Sequence, residues 1–272
     1  MKNRGLIIGL IIILICLIIS LVFFMIKMMN GSFRFRFGHN VSKNKILEET
    51  YEIMDIDIES QMADVHIIEN TDNNIKVIVY SEQNRTTVNV ESNKLVIKSN
   101  SKRCRGICIN TKIDKIELYL PENYMNKVKI KDDSGDIKIG KFDNLVLDVI
   151  TDAGDIDIDS IKNAKIKVDA GDIDINKIGN IIIESDAGDI KIGTVNEQLS
   201  ITTDAGDIKI DELNIIKNSK IKADAGDIKI KSTNDIYIDA KADVGDVKIN
   251  NSNRKSDIEL NIRTDAGDIK VN

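Results

Sequence analysis

Carboxylates at a recurring spacing are the residues best placed to do chemistry in this sequence. The pattern Asp-small-Gly-Asp occurs eight times. Its first Asp stands at Asp133, Asp152, Asp169, Asp186, Asp204, Asp224, Asp243 and Asp265. Its glycines are Gly135, Gly154, Gly171, Gly188, Gly206, Gly226, Gly245 and Gly267. Its second Asp stands at Asp136, Asp155, Asp172, Asp189, Asp207, Asp227, Asp246 and Asp268. Paired carboxylates suit two kinds of chemistry: ligation of a hard cation such as calcium, or general acid–base catalysis. Calcium-binding β-roll repeats use a richer Gly-Gly-x-Gly-x-Asp nonapeptide. Calcium is therefore the disfavoured alternative, and no metal or other cofactor is expected. Acid–base work needs two carboxyls in different environments, and a repeat supplies one environment many times over. The sequence holds only His39 and His66 and no Trp. No catalytic residue is assigned, and the chain is not expected to be an enzyme.

The same residues have a local use. Asp favours turn starts because its carboxylate accepts backbone N–H bonds, and Gly supplies a positive φ. The motif reads first as a folding corner. Stacking the corners in register would line carboxylates up ~4.8 Å apart, where like charges repel by about 0.9 kcal/mol in water. Cations or the neighbouring Lys residues would have to offset that. Cys104 and Cys108, in Cys-Arg-Gly-Ile-Cys, are the other reactive pair. They read either as two ordinary small residues or as a disulfide across a bend at Gly106. In an extended strand they would stand about 13 Å apart, so a bridge requires the turn.

The elements that position the corners follow from the residues around them. Motif starts are 17 to 22 residues apart. Four and six residues after each first Asp lie pairs such as Ile156/Ile158, Ile173/Ile175 and Ile190/Ile192, and three before it lie Val149, Ile166 and Ile183. Between them stand Lys138, Asp157, Asp174, Lys191, Lys209, Lys229, Lys248 and Lys270. Period-two alternation marks half-buried strands. One unit cannot bury its apolar face alone, but a stack can, with Ile on Ile from rung to rung. The fold expected is all-β: a parallel β-solenoid, a single-stranded, β-helix-like stack of ~19-residue rungs. Regular repeats cover 128–272. Residues 46–127 keep the alternation without the Gly-Asp signature and read as degenerate rungs of the same stack, with Ala63 at a Gly position. The total predicted is about 11 or 12 rungs. The sequence stops at Asn272, two residues after Lys270 of the last motif, so an exposed C-terminal rung is expected, open to a protein partner or a second copy.

Residues 6–26 form an apolar run of about 21 residues, which at ~1.5 Å per residue spans a bilayer core. It lacks a small-residue cleavage pattern. A single-pass transmembrane helix is predicted, after a short tail at 1–5 and before a basic, aromatic linker at 27–45. In that linker Phe33, Phe35 and Phe37 alternate with Arg34 and Arg36. The rings suit either a membrane interface or packing on the domain. Lys2 and Arg4 precede the span, while Lys27, Arg34, Arg36, Lys43 and Lys45 follow it. Positive charge alone would keep the domain inside. A signal anchor carrying a β-rich domain points outward, and the expected location is the cell membrane with an extracellular β domain. The net charge of −6 argues against nucleic acid as a partner.

Residues 152–158, Asp-Ala-Gly-Asp-Ile-Asp-Ile, resemble the repeating core of a bacterial adhesin-type family with β-strand repeats, also described as toastrack-type domains of unknown function. The likeness extends over most of the chain after about residue 46. It implies a parallel β-solenoid, an envelope location and association with envelope-stress membrane proteins. It supplies no catalytic residues. The function expected is a non-catalytic, membrane-anchored surface or scaffold module. The alternative is a regulatory envelope-stress component that docks a membrane partner through the solenoid end.

Overall fold

The computed structural model describes residues 36–37, 40–82, 85–100, 108–109 and 112–272. The predicted membrane span, most of the Phe/Arg stretch and Cys104 lie outside the described residues. Arg36–Phe37 and Cys108–Ile109 pair in parallel as a small unit by themselves. The second unit covers 41–101 and 113–272. Among the described residues there is no helix, and so none long and apolar enough to cross a membrane.

The alternation read in the sequence becomes four long strands at the centre of the second unit: Ile137–Ala153, Ile156–Ala170, Ile173–Ala187 and Ile190–Ala205. Each bends midway. Its first half joins one parallel ladder and its second half another. The Gly corner links one strand to the next. Registers are residue on like residue: Ile156 on Ile173 on Ile190, and Ile166 on Ile183 on Ile201. These side chains are buried in a single core shared by both ladders. β-branched residues suit this pleated, half-buried surface, and each buried Ile is worth roughly 1.5–3 kcal/mol.

The degenerate first part behaves in two ways. Asp55–Ser60 and Ala63–Asn70 form a parallel rung beneath the first Gly corner, with Val65 paired to Ile137. Lys94–Ser99 and Lys112–Pro121 form the next rung out, also parallel. Three further strands pair antiparallel. Ile75–Tyr80 pairs with Lys112–Pro121, Lys45–Tyr51 pairs with Ile75–Tyr80, and Thr86–Glu91 pairs with Lys94–Ser99. That last hairpin turns at Ser92 and Asn93, whose φ of 50° and 61° suit a two-residue turn of the primed type. The parallel stack thus has ten rungs among the described residues rather than 11 or 12, and antiparallel strands cover its first end.

The other end overturns the expectation of an exposed C-terminal rung. Glu259–Ala266 pairs on one side with Ser219–Ala225 and on the other with Tyr237–Val244. Ile269–Val271 likewise lies between Ile228–Ile230 and Val247–Ile249. The final repeat is therefore inserted beneath the penultimate one. The open rung is 237–249, where Val244 is 70% exposed and Val247 42% exposed. Backbone bonds show the same order: Gly226 N–H donates to Ala266 O at 2.9 Å, and Gly267 N–H to Val244 O at 2.9 Å.

Candidate functional site

The Gly-Asp corners are brought into one column, so the sequence motif is a single structural feature. The glycines of seven corners have φ between 128° and 149°. A Cβ at Gly171 would lie 2.1 Å from Gly154 O, and one at Gly188 would lie 2.1 Å from Gly171 O. Two demands coincide: a backbone conformation closed to L side chains, and direct contact with the corner beneath. Gly135 lacks the positive φ but meets Ala63 O at 2.0 Å, so close approach alone requires it. Ala63 does occupy the glycine position of its rung, as the sequence indicated.

The two Asp columns have different roles. The second Asp builds a ladder from rung to rung. Asp172 N–H donates to Asp155 Oδ1 at 3.0 Å, Asp189 N–H to Asp172 Oδ1 at 2.9 Å, and Asp207 N–H to Asp189 Oδ1 at 2.9 Å. The series runs from Asp64, which accepts from Asp136 N–H, to Asp246, which donates to Asp268 Oδ1. The carboxylate therefore caps the N–H of the next corner rather than one in its own turn. Local turn chemistry could not have indicated this. A corner N–H that points along the stack needs an acceptor, and the carboxylate supplies one at every rung. The first Asp column faces solvent, and Asp224 and Asp243 there pair with Lys222 and Lys241. Among the described residues no three His, Cys, Asp or Glu side chains group as a metal site.

The outward column between the paired Ile residues carries charge. In stack order it reads Glu117, His66, Lys138, Asp157, Asp174, Lys191, Lys209, Lys229, Lys270 and Lys248. Five lysines stand on successive rungs, with Lys270 between Lys229 and Lys248 because the last rung is inserted. Lys191 pairs with Asp174 at 2.7 Å. The other four make no ion pair among the described residues. His66, at the far end, has its pKa lowered by burial and by Lys115.

One buried acid escaped the sequence reading. Asp132 stands in an inward column with Ser60, Thr151, Val168, Ser185 and Thr203, most of them small and polar. Its Oδ1 accepts from Ser60 Oγ, and its Oδ2 is buried without a partner. Burial pushes its carboxyl up to about 7, with Asp133 and Asp64 adding to the rise and Ser60 and Ala63 N–H opposing it. The folded chain therefore holds this proton up to about pH 7, whereas the unfolded chain releases it near pH 4. Between those values the folded state binds more protons, so this group makes stability fall as pH rises from about 4 to about 7. Asp132→Asn is expected to flatten that part of the urea-midpoint profile. An unchanged slope would show that Asp132 is ionised in the fold.

Corners of Gly and Asp, stacked parallel rungs and a shared β-branched core define a solenoid-like β-repeat protein. The sequence profile of the Toastrack DUF4097 family matches residues 53–272, and the chain belongs to that family. Comparison with curated protein sequences gives no match. Among the solved structures that share the fold are two with a TM-score of 0.54. One, from Bacteroides fragilis, is described as a "putative adhesin"; it is 19% identical at a TM-score of 0.54, covering 86% of this chain and 100% of that one. The other, from Parabacteroides distasonis, is described as a "putative lipid binding protein"; it is 16% identical at a TM-score of 0.54, covering 88% of this chain and 100% of that one.

Proposed function

We propose that this chain is a membrane-anchored, non-catalytic binding module of the bacterial envelope, adhesin-like in use. Residues 6–26 would form its single-pass anchor, with the β domain outside the cell. The ligand in this reading is a repetitive anionic polymer laid across the rungs. The observation that carries it is the row Lys191, Lys209, Lys229, Lys270 and Lys248, one lysine per rung on successive rungs. Regular spacing of ~4.8 Å matches a ligand with its own repeat better than a single small molecule. The second Asp column runs beside it, so the face is an ordered array of both signs rather than a broad basic field. The corners themselves are occupied with folding.

Long-chain polyphosphate is a suitable probe. The triple variant Lys209→Glu, Lys229→Glu, Lys270→Glu is expected to bind it at least tenfold more weakly, and added salt should weaken the native protein's binding. Unchanged binding by the triple variant would remove the lysine row from the function. Protease treatment of intact cells tests the location: the β domain should be cut or shed, and full protection would place it inside.

A second reading is favoured by the open rung 237–249. Beyond Ile238 its outer edge pairs with no strand among the described residues, and this edge and the exposed Val244 and Val247 suit docking of a membrane partner or a second copy. In that reading the module is a regulatory envelope-stress component, and crosslinks from Val244 to another chain in membranes are its test.

A further inference from the structure

The outer face of the ladder before the Gly corners breaks its own rule. Outward positions there are charged or polar in most rungs. The column that holds Ile182 elsewhere holds Lys129, Asp148, Lys165, Ser200 and Lys220. Yet Ile182 is 46% exposed, and Val146, two rungs away, is 38% exposed. Ile150, at 36%, lies on the same face. The triplets Leu145-Val146-Leu147 and Ile181-Ile182-Ile183 carry this break in the sequence itself.

These side chains are not scattered. Val146, Ala164 and Ile182 line one open groove of about 430 Å³. It crosses the rungs that begin near 127, 146, 163, 180 and 198, four steps or roughly 19 Å at the strand spacing. Three lysines stand along it: Lys127, Lys165 and Lys217. Lys127 is paired to Asp148 at 2.9 Å, and Lys217 to Glu197 at 3.4 Å. Lys165 makes no ion pair among the described residues. The amides beside the groove are already engaged: Asn180 Nδ2 donates to Asn163 Oδ1 at 2.8 Å and to Glu197 Oε2 at 2.9 Å. What remains for a ligand is a long apolar floor and one free cation beside it.

We propose that this groove binds an anionic lipid, one acyl chain lying along Val146, Ala164 and Ile182 and its acidic head meeting Lys165. The volume lies within the ordinary range of small-ligand sites. An elongated apolar floor fits a chain, and the absence of aromatic side chains from the lining disfavours a sugar ring. Charge complementarity selects an acidic head over a neutral or cationic one. The site lies on the ladder before the Gly corners, whereas the lysine row lies on the ladder after them. It does not depend on polymer binding there.

The test uses the full-length protein in phosphatidylcholine nanodiscs with palmitate carrying a photoreactive diazirine on its chain. Crosslinks are expected in peptides spanning 145–182. Ile182→Asp and Lys165→Glu should each reduce them at least fivefold. Both side chains point outward, and circular dichroism and urea midpoints should match the native protein. Unlabelled palmitate should compete, and hexadecanol should compete at least fivefold less well. The proposal is overturned by labelling confined to residues 6–26, by labelling indifferent to Ile182→Asp, or by equal competition from hexadecanol. Polyphosphate binding measured on the same two variants should stay unchanged, which separates this site from the lysine row.

Discussion

Gly188→Ala is expected to cost the protein at least about 3 kcal/mol, close to the largest effect any single methyl group can have here. Gly188 has φ 128°, a conformation that L residues rarely adopt. Its new Cβ would stand 2.1 Å from Gly171 O, a backbone atom that cannot swing aside. Relief requires the rungs to separate at that corner. Separation would also lengthen two bonds of the stack, Gly171 N–H to Ala187 O at 3.1 Å and Ile173 N–H to Asp189 O at 2.9 Å. The corner bond from Asp189 N–H to Asp172 Oδ1 would open with them. Gly140→Ala is the control. Its Cβ would meet nothing nearer than 3.5 Å, and its φ is not in the restricted region. It should stay within about 0.5 kcal/mol of the native protein. Urea unfolding followed by far-UV circular dichroism measures both. Equal midpoints for the two variants would mean that the corners tolerate a side chain.

The second large effect concerns the order of the stack. Ile262 is fully buried between Ile221 of one rung and Ala240 of the next. Ile262→Asp places an unpaired charge there and is expected to cost on the order of 3–5 kcal/mol. The distribution of damage matters more than its size. If rungs stacked in chain order, 262 would lie in the terminal rung, and 237–249 would keep 219–230 as its neighbour. In the observed order, rung 237–249 docks only on the damaged one. Its amides should therefore lose hydrogen-exchange protection together with 259–271. Cysteine pairs check the order directly in a chain with Cys16, Cys104 and Cys108 replaced by serine. Ala225→Cys with Ala266→Cys joins adjacent rungs at about 4.8 Å, within disulfide reach. Ala225→Cys with Val244→Cys spans two rungs, about 9.6 Å, and should not close. The reverse result would restore chain order.

Much of this architecture is determined by residues within a single repeat. Alternation in 137–142 or 163–170 decides which side chains face inward, because a pleated strand allows only two faces. A glycine every 17 to 22 residues marks where the chain turns, and Gly188 or Gly206 would be a glycine in any order of stacking. Ala63 at a corner position was legible for the same reason. The buried Ile columns followed directly, since registers of like on like satisfy every strand at once.

Only the tertiary structure decided which rung lies on which. Repeats with the same corner and the same Ile columns present equivalent edges, so the local pattern is nearly indifferent to neighbour choice. That degeneracy is why rung 259–271 could enter beneath 237–249, and why the open edge is not at the chain terminus. The same degeneracy hid the work of the second Asp, whose partner is an N–H 17 to 41 residues away in the next rung. Antiparallel capping by 45–51 and 75–80 was equally invisible, because alternation is the same for both strand directions. The Asp-Gly-Asp corners therefore began as candidate chemistry and are the device that holds rung to rung. The surfaces left free for a ligand, the lysine row and the apolar groove, exist only once the rungs are stacked.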